Sequence, residues 1–235
     1  MGRSGHILGR VAQIAVLGLL IAVLVRENYP SKLLRAATGR PAPVTQSAHY
    51  QQMLPIHARL LDQIKSGAEV ELAFVGDSII EGWLTASYFP HSLNLGIGRD
   101  TISGLLARID SETVRLVPVW YLGIGINDVL REYDLDALPG LVSQLSMTFG
   151  TARILIWRAA LPVQKPGWSA AHEQHRTQYN ELAQAACARM PNCSFLPAPA
   201  DFAQNIQDWT YDGLHPNADG YQALTEQART HLSDL

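Results

Sequence analysis

The sequence predicts an α/β protein: a parallel sheet covered by helices on both faces. Three observations carry that prediction. Short apolar, strand-like runs alternate with segments of helical spacing over most of the chain. The 235 residues, 47% of them hydrophobic, suit one α/β domain with something added to it. The unusual polar residues fall just after the strand-like runs, where ligands sit in such sheets.

The added part comes first. Val11 to Val25 reads VAQIAVLGLLIAVLV, with only Gln13 polar, and Arg3 and Arg10 precede it. Extended back to Ile7, the stretch approaches the length of a membrane span, with Arg10 able to snorkel to the surface. No small-x-small cleavage site follows; Arg26-Glu27-Asn28-Tyr29-Pro30 comes instead. Residues 1–25 are therefore expected to be an uncleaved signal anchor, touching the membrane through residues 7–25. A cleaved signal peptide and a buried core helix are the alternatives. Residues 26–48, with Pro30, Gly39, Pro41 and Pro43, read as a linker, and residues 49–235 as the folded domain.

Two signals bear on which side of the membrane that domain faces. Four basic residues follow the apolar run and two precede it, which argues against export. Cys187 and Cys193 flank a predicted helix end and turn. One reading is a disulfide, implying an oxidising compartment; the other is two small buried residues. On balance the expectation is a periplasmic or extracytoplasmic domain, with a secreted or cytoplasm-facing one as alternatives.

Within the domain, residues 49–66 have helical spacing, with Met53, Ile56, Leu60, Leu61 and Ile64 apolar and Gly67 as a stop. Strands are expected at Val70–Val75, Leu93–Ile97, Leu116–Leu122, Ile154–Trp157 and Ser194–Leu196; Pro118 sits awkwardly inside the third. Helices are expected at 79–88, 101–113, about 134–149, 169–190 and 217–234. Trp83 and Tyr88 are expected to pack their helix onto the sheet.

Composition excludes some functions. The chain is −3 overall, but residues 1–40 are +5, which leaves −8 for the remainder. An acidic body with no basic stripe is not a nucleic-acid binder. Gly96-Ile97-Gly98 and Gly123-Ile124-Gly125 lack the third glycine of a dinucleotide fingerprint. His172-Glu173-Gln174-His175 is one residue short of a zinc-protease motif and reads as a solvated helix face. A G-x-S-x-G elbow is absent.

What remains is a constellation. Ser78 follows the first strand, Gly96-Ile97-Gly98-Arg99-Asp100 the second and Gly125-Ile126-Asn127-Asp128 the third; Asp212 and His215 lie between the last strand and the last helix. Serine is a weak nucleophile until a base takes its proton. His215 is the candidate base, with Asp212 to fix its tautomer. The backbone N–H groups of Ser78 and of the Gly98-Arg99 turn, with the Asn127 amide, are candidate donors to a developing oxyanion. Asp77 and Trp168 are candidate substrate contacts.

These segments resemble the four blocks of the SGNH, or GDSL, hydrolases, in order and spacing, over roughly residues 68–235. The resemblance implies a flavodoxin-like three-layer α/β/α sandwich around a five-stranded parallel sheet. It implies esterase, lipase or thioesterase chemistry on a small-molecule, lipid or glycan ester, with no metal and no cofactor. It assigns Ser78 as nucleophile, Asn127 as oxyanion donor, and Asp212 and His215 as the rest of a triad. Two positions depart from the family pattern: Ile79 replaces the usual Leu, and Arg99 stands where glycine usually precedes the Asp of the second block. Arg99 still offers a backbone N–H, provided its backbone angles suit a residue with a Cβ; its side chain either adds a cation at the mouth of the site or points to solvent. Two other roles would use the same site: a non-catalytic glycan- or lipid-binding module, and an O-acyltransferase.

Overall fold

In the computed structural model, the described residues are 17, 42–131 and 135–234. Five strands, β1 (Leu72–Gly76), β2 (Ser92–Gly96), β3 (Val119–Gly123), β4 (Ile154–Arg158) and β5 (Cys193–Leu196), pair in the order β2-β1-β3-β4-β5. Every pairing is parallel. This is the flavodoxin-like order, and the chain reverses direction across the sheet at β1, so a crevice opens beyond the carboxyl ends of β1 and its neighbours.

The central strand β1 is buried at all five positions, as a run of Leu72-Ala73-Phe74-Val75-Gly76 requires; the edge strand β5 is mostly half-buried. Side chains alternate between the faces. Ala73, Val75, Trp120, Leu122, Leu155 and Trp157 meet helices α1 (Ala48–Lys65), α3 (Ile102–Leu106), α5 (Leu138–Phe149) and α6 (Ala170–Cys187). Leu72, Phe74, Tyr121, Ile156 and Leu196 meet α2 (Ser78–Glu81) and α7 (Ala218–Ser233) on the other face. The remaining short helix at the sheet's carboxyl edge is α4 (Ile126–Leu130). The result is the expected three-layer sandwich.

The second face holds an aromatic cluster: Phe74 lies 5.1 Å, centroid to centroid, from each of Trp83, Phe89 and Tyr121. The Trp83 indole also donates to Thr225 Oγ1 at 3.0 Å, which ties the segment after Ser78 to α7. Such fully buried aromatic side chains contribute about 1.5–3 kcal/mol each to holding that segment.

Some expected elements divide. Residues 79–88 form two turns, Ser78–Glu81 and Thr85–Tyr88, because Gly82 ends the first. Residues 101–113 also form two, since Asp110 caps a new turn at Ser111–Val114 by accepting from the Thr113 N–H. Pro118 lies one residue before β3, where it needs no N–H, and its carbonyl accepts from Ile154. Two short helices, Ala200–Gln204 and Ile206–Trp209, were not expected. Cys187 and Cys193 are bonded, joining the end of α6 to the start of β5 across a Cα separation of 5.2 Å. The anchor expected over residues 7–25 lies outside the described residues apart from Leu17. Among the described residues no helix is long and apolar enough to cross a membrane.

Candidate active site

The carboxyl ends of β1, β2 and β3 and the loop before α7 deliver the candidate residues to one cleft. Its volume is about 860 Å³, and Ser78, Gly98, Arg99, Asn127 and His215 all line it.

Ser78 opens α2, directly after β1. Asp77 caps that helix, with Oδ1 accepting from the Ile79 N–H at 3.0 Å. Asp77 is therefore turned inward and buried, not presented to the cleft. Burial pushes its carboxyl up to about 6, against the pull of the Arg158 charge and the Ile79 N–H. Ser78 is half-buried, and its Oγ lies 3.0 Å from His215 Nε2.

The His215 ring is oriented from behind. Its Nδ1 lies 2.8 Å from Asp212 Oδ2, while Asp212 Oδ1 accepts the backbone N–H groups of Leu214 at 3.0 Å and His215 at 2.8 Å. Partial burial pushes the Asp212 carboxyl up, but the His215 N–H, the ring and the Leu214 N–H together outweigh it and hold Asp212 below its usual range. The loop turns through Gly213 at φ +78°, where a Cβ would fall 1.8 Å from the Gln164 carbonyl oxygen, so glycine is required. A bridge between Thr210 and Pro216 closes it. Tyr211 stacks on the His215 ring at 5.6 Å and 13°.

The third part is the turn after β2. Ile97 donates to the Gly76 carbonyl and Asp100 to the Ile97 carbonyl, both at 3.0 Å. Between them Arg99 adopts φ +66°, in the left-handed region. Its backbone thus takes the conformation that glycine would take, with a side chain attached. Asp100 is buried and gripped by Arg108, whose Nε and Nη2 donate to Oδ2 at 3.0 and 2.8 Å. Arg108 Nη2 also donates to the Gly76 carbonyl at 3.3 Å, so one guanidinium joins the turn to the strand that carries Ser78. Burial outweighs the Arg108 charge at Asp100 and pushes its carboxyl up to about 6.

Asn127, on α4, donates one amide N–H to the Asp100 carbonyl at 3.0 Å. A primary amide has a second N–H, and Asn127 lines the cleft. Asp128 points the other way and accepts the Ile102 N–H at 3.1 Å. Burial pushes its carboxyl up to about 7, offset in part by that N–H. Gly125 starts α4 at φ +110°, where a Cβ would strike the Tyr179 ring.

The structure thus brings Ser78, Gly98, Arg99, Asn127, Asp212 and His215 together. It places Trp168 elsewhere: that ring stacks on His172 at 5.2 Å, donates to Glu173, and is not part of the cleft lining. Residues that sequence reasoning missed include Arg108, Tyr211, Lys165 and the His49–Glu81 pair, whose Nε2 and Oε1 lie 2.7 Å apart in the cleft wall. Tyr211 had one available signal, its position beside Asp212. Among the described residues there is no group of three or more His, Cys, Asp or Glu able to hold a metal ion.

At the carboxyl edge of a doubly wound parallel sheet, Ser78, His215 and Asp212 thus form a hydrogen-bonded chain with the geometry of a serine-hydrolase triad. The chain belongs to the GDSL-like lipase/acylhydrolase family, whose model matches residues 74–223. It is 29% identical to the platelet-activating factor acetylhydrolase IB subunit alpha1 of Rattus norvegicus, over 84% of this chain and 89% of that one. It is 25% identical to an acetylxylan esterase of Geobacillus stearothermophilus, over 73% and 96%. A solved GDSL-like lipase from Bacteroides thetaiotaomicron shares the fold, with TM-score 0.60 and 21% identity over 76% of this chain and 97% of that one. The protein is an ester-cleaving hydrolase.

Proposed function

We propose that the protein cleaves carboxylic esters, of the lipid, acyl or O-acetyl-sugar kind, through an acyl-Ser78 intermediate. The Ser78–His215–Asp212 relay, with its 3.0 and 2.8 Å links, carries this reading. Ser78 Oγ attacks the ester carbonyl while His215 Nε2 takes its proton. The oxyanion is met by the N–H groups of Ser78 and the Gly98-Arg99 turn and by the free N–H of Asn127; each such donor is worth about 100- to 1,000-fold in rate. His215 then returns the proton to the leaving alkoxide. Water attacks the acyl-enzyme with the same histidine as base and releases the acid. Asp212 keeps Nδ1 protonated and steadies the imidazolium.

Ser78→Ala is expected to lower p-nitrophenyl acetate turnover by at least about 1,000-fold and to abolish labelling by a fluorophosphonate probe. Wild-type protein that is folded yet forms no adduct on Ser78 would instead favour a binding module. Acyl transfer to an added sugar in preference to water would favour a transferase.

The apolar run Val11–Val25 supports a membrane tether for this domain, and the Cys187–Cys193 bond supports an oxidising, extracytoplasmic setting. Release of the full chain from membranes by alkaline carbonate would count against the tether.

A further inference from the structure

The cleft carries a charge opposite to that of the domain around it. Residues 41–235 are net acidic, at −8, given +5 in residues 1–40 and −3 overall. Yet Arg99 and Lys165 line the cleft, and the one carboxylate among its described lining residues, Glu81, is already bonded to His49 at 2.7 Å. Four other described acids of the region are turned away from these two cations. Asp77, Asp100 and Asp128 are buried beneath the floor, each accepting a backbone N–H, and Asp212 is turned onto His215.

The backbone of Arg99 points the same way. It holds the left-handed conformation at φ +66° on the rim of the site, where glycine would sit without strain. Strain of this kind persists where the surroundings enforce it and function uses it. A backbone donor alone needs no arginine, so the side chain is what glycine would not supply. Lys165 faces the cleft from a different loop, fixed next to the triad because the Gln164 N–H donates to the Gly213 carbonyl at 2.7 Å. These two cations thus come from separate loops, and a cleft lined with one sign of charge concentrates ligands of the other.

We propose that this cleft selects esters that carry an anionic group, a carboxylate or a phosphate, within one side-chain length of the scissile bond. Arg99 and Lys165 are its specificity-determining side chains. This rests on the esterase reading above.

The test compares matched esters: mono-4-nitrophenyl glutarate against neutral 4-nitrophenyl valerate for an anion on the acyl side, and 4-acetoxybenzoate against phenyl acetate for one on the leaving side. At low ionic strength kcat/KM is expected to favour the anionic member of at least one pair by about tenfold, a few exposed charge pairs acting together. The advantage should enter mainly through KM and shrink in 0.5 M salt. Arg99→Gln and Lys165→Gln should each cut the anionic-to-neutral ratio about threefold, a ratio that loss of folded protein does not move. Equal or faster turnover of the neutral ester in both pairs at low salt would overturn the proposal. The same esters are titrated into the Ser78→Ala protein, where binding is read without turnover. Selective anion binding there, with no turnover by the wild type, would fail the esterase reading alone; equal binding would fail the charge proposal.

Discussion

The two loops that flank Ser78 reach one cleft by opposite means. In the loop from Asp212 to Pro216, the working side chains are set by their own neighbours: both oxygens of Asp212 are spent within three residues, on Leu214 and His215. Between β2 and α3, nothing local suffices. Arg108 reaches across 32 positions to the Gly76 carbonyl, Asn127 across 27 to the Asp100 carbonyl and Asp128 across 26 to the Ile102 N–H. The first loop is half-exposed and sets its two working side chains locally, tied to a distant segment through the Gln164 N–H on the Gly213 carbonyl, and the second is built from buried polar groups that only the finished fold brings together. Chemistry and stability should therefore separate between them.

Two substitutions test that separation, and they have the largest expected effects. His215→Ala removes the base from a loop that does not rely on it for its shape. It should cost at least about 10,000-fold in kcat and move the melting temperature by no more than about 2 °C. Arg108→Met should do the reverse. It leaves Asp100 buried without its cation, a loss of about 3–5 kcal/mol, which for a domain of this size lowers the melting temperature by about 10 °C. The deficit also has a pH sign. Burial already pushes Asp100 up to about 6 in the folded protein, above the 3.8 of an unperturbed carboxyl. The folded state thus binds the extra proton, and this group's contribution weakens as pH rises through about 6. Without Arg108 only the protonated form is tolerable, so the deficit should be smaller at pH 5 than at pH 8. Calorimetry at the two pH values checks this. A His215→Ala protein as destabilised as Arg108→Met would erase the distinction between the loops.

The same contrast explains what the sequence disclosed. Ser78, Asn127, Asp212 and His215 were legible because each sits at a strand end or in a short Gly- and Pro-marked loop, and such local patterns survive in one dimension. The alternation of strands and helices was legible for the same reason. Arg108 was not. Within Leu105-Leu106-Ala107-Arg108-Ile109 it reads as the solvent side of a helix, and its partners lie far away in the chain. Nor was the part played by α1, which lies outside the residues matched by the family model. It sends Tyr50 to the Gly104 carbonyl at 2.6 Å and places a buried His57 beside Arg108. Burial, and then the Arg108 charge, holds that imidazole down to about 4, so it stays neutral against the guanidinium. Asp77 was misleading because adjacency to Ser78 suggested a substrate contact, whereas an N-cap side chain folds back onto its own helix. The short helices between residues 200 and 209 were hidden by their length, five and four residues, too short to show a helical period.

Arg99 stands where the two kinds of information meet, and its substitution should have the smallest effect. Its place in the second motif was readable; its φ of +66° was not. Arg99→Gly keeps the backbone N–H and removes a left-handed penalty of about 1–2 kcal/mol. Part of that gain is lost to the greater freedom of glycine in the unfolded chain. The net expectation is a stabilisation of at most about 1 kcal/mol, read as a rise of about 2–4 °C in melting temperature. Preference for anionic esters should fall in the same variant. A more stable protein that chooses substrates less well would show that the loop is held by Arg108, Asn127 and Asp128, and that the Arg99 side chain serves the ligand. A drop in melting temperature would show instead that the side chain braces the turn, and the loop would then owe part of its shape to a residue on its own rim.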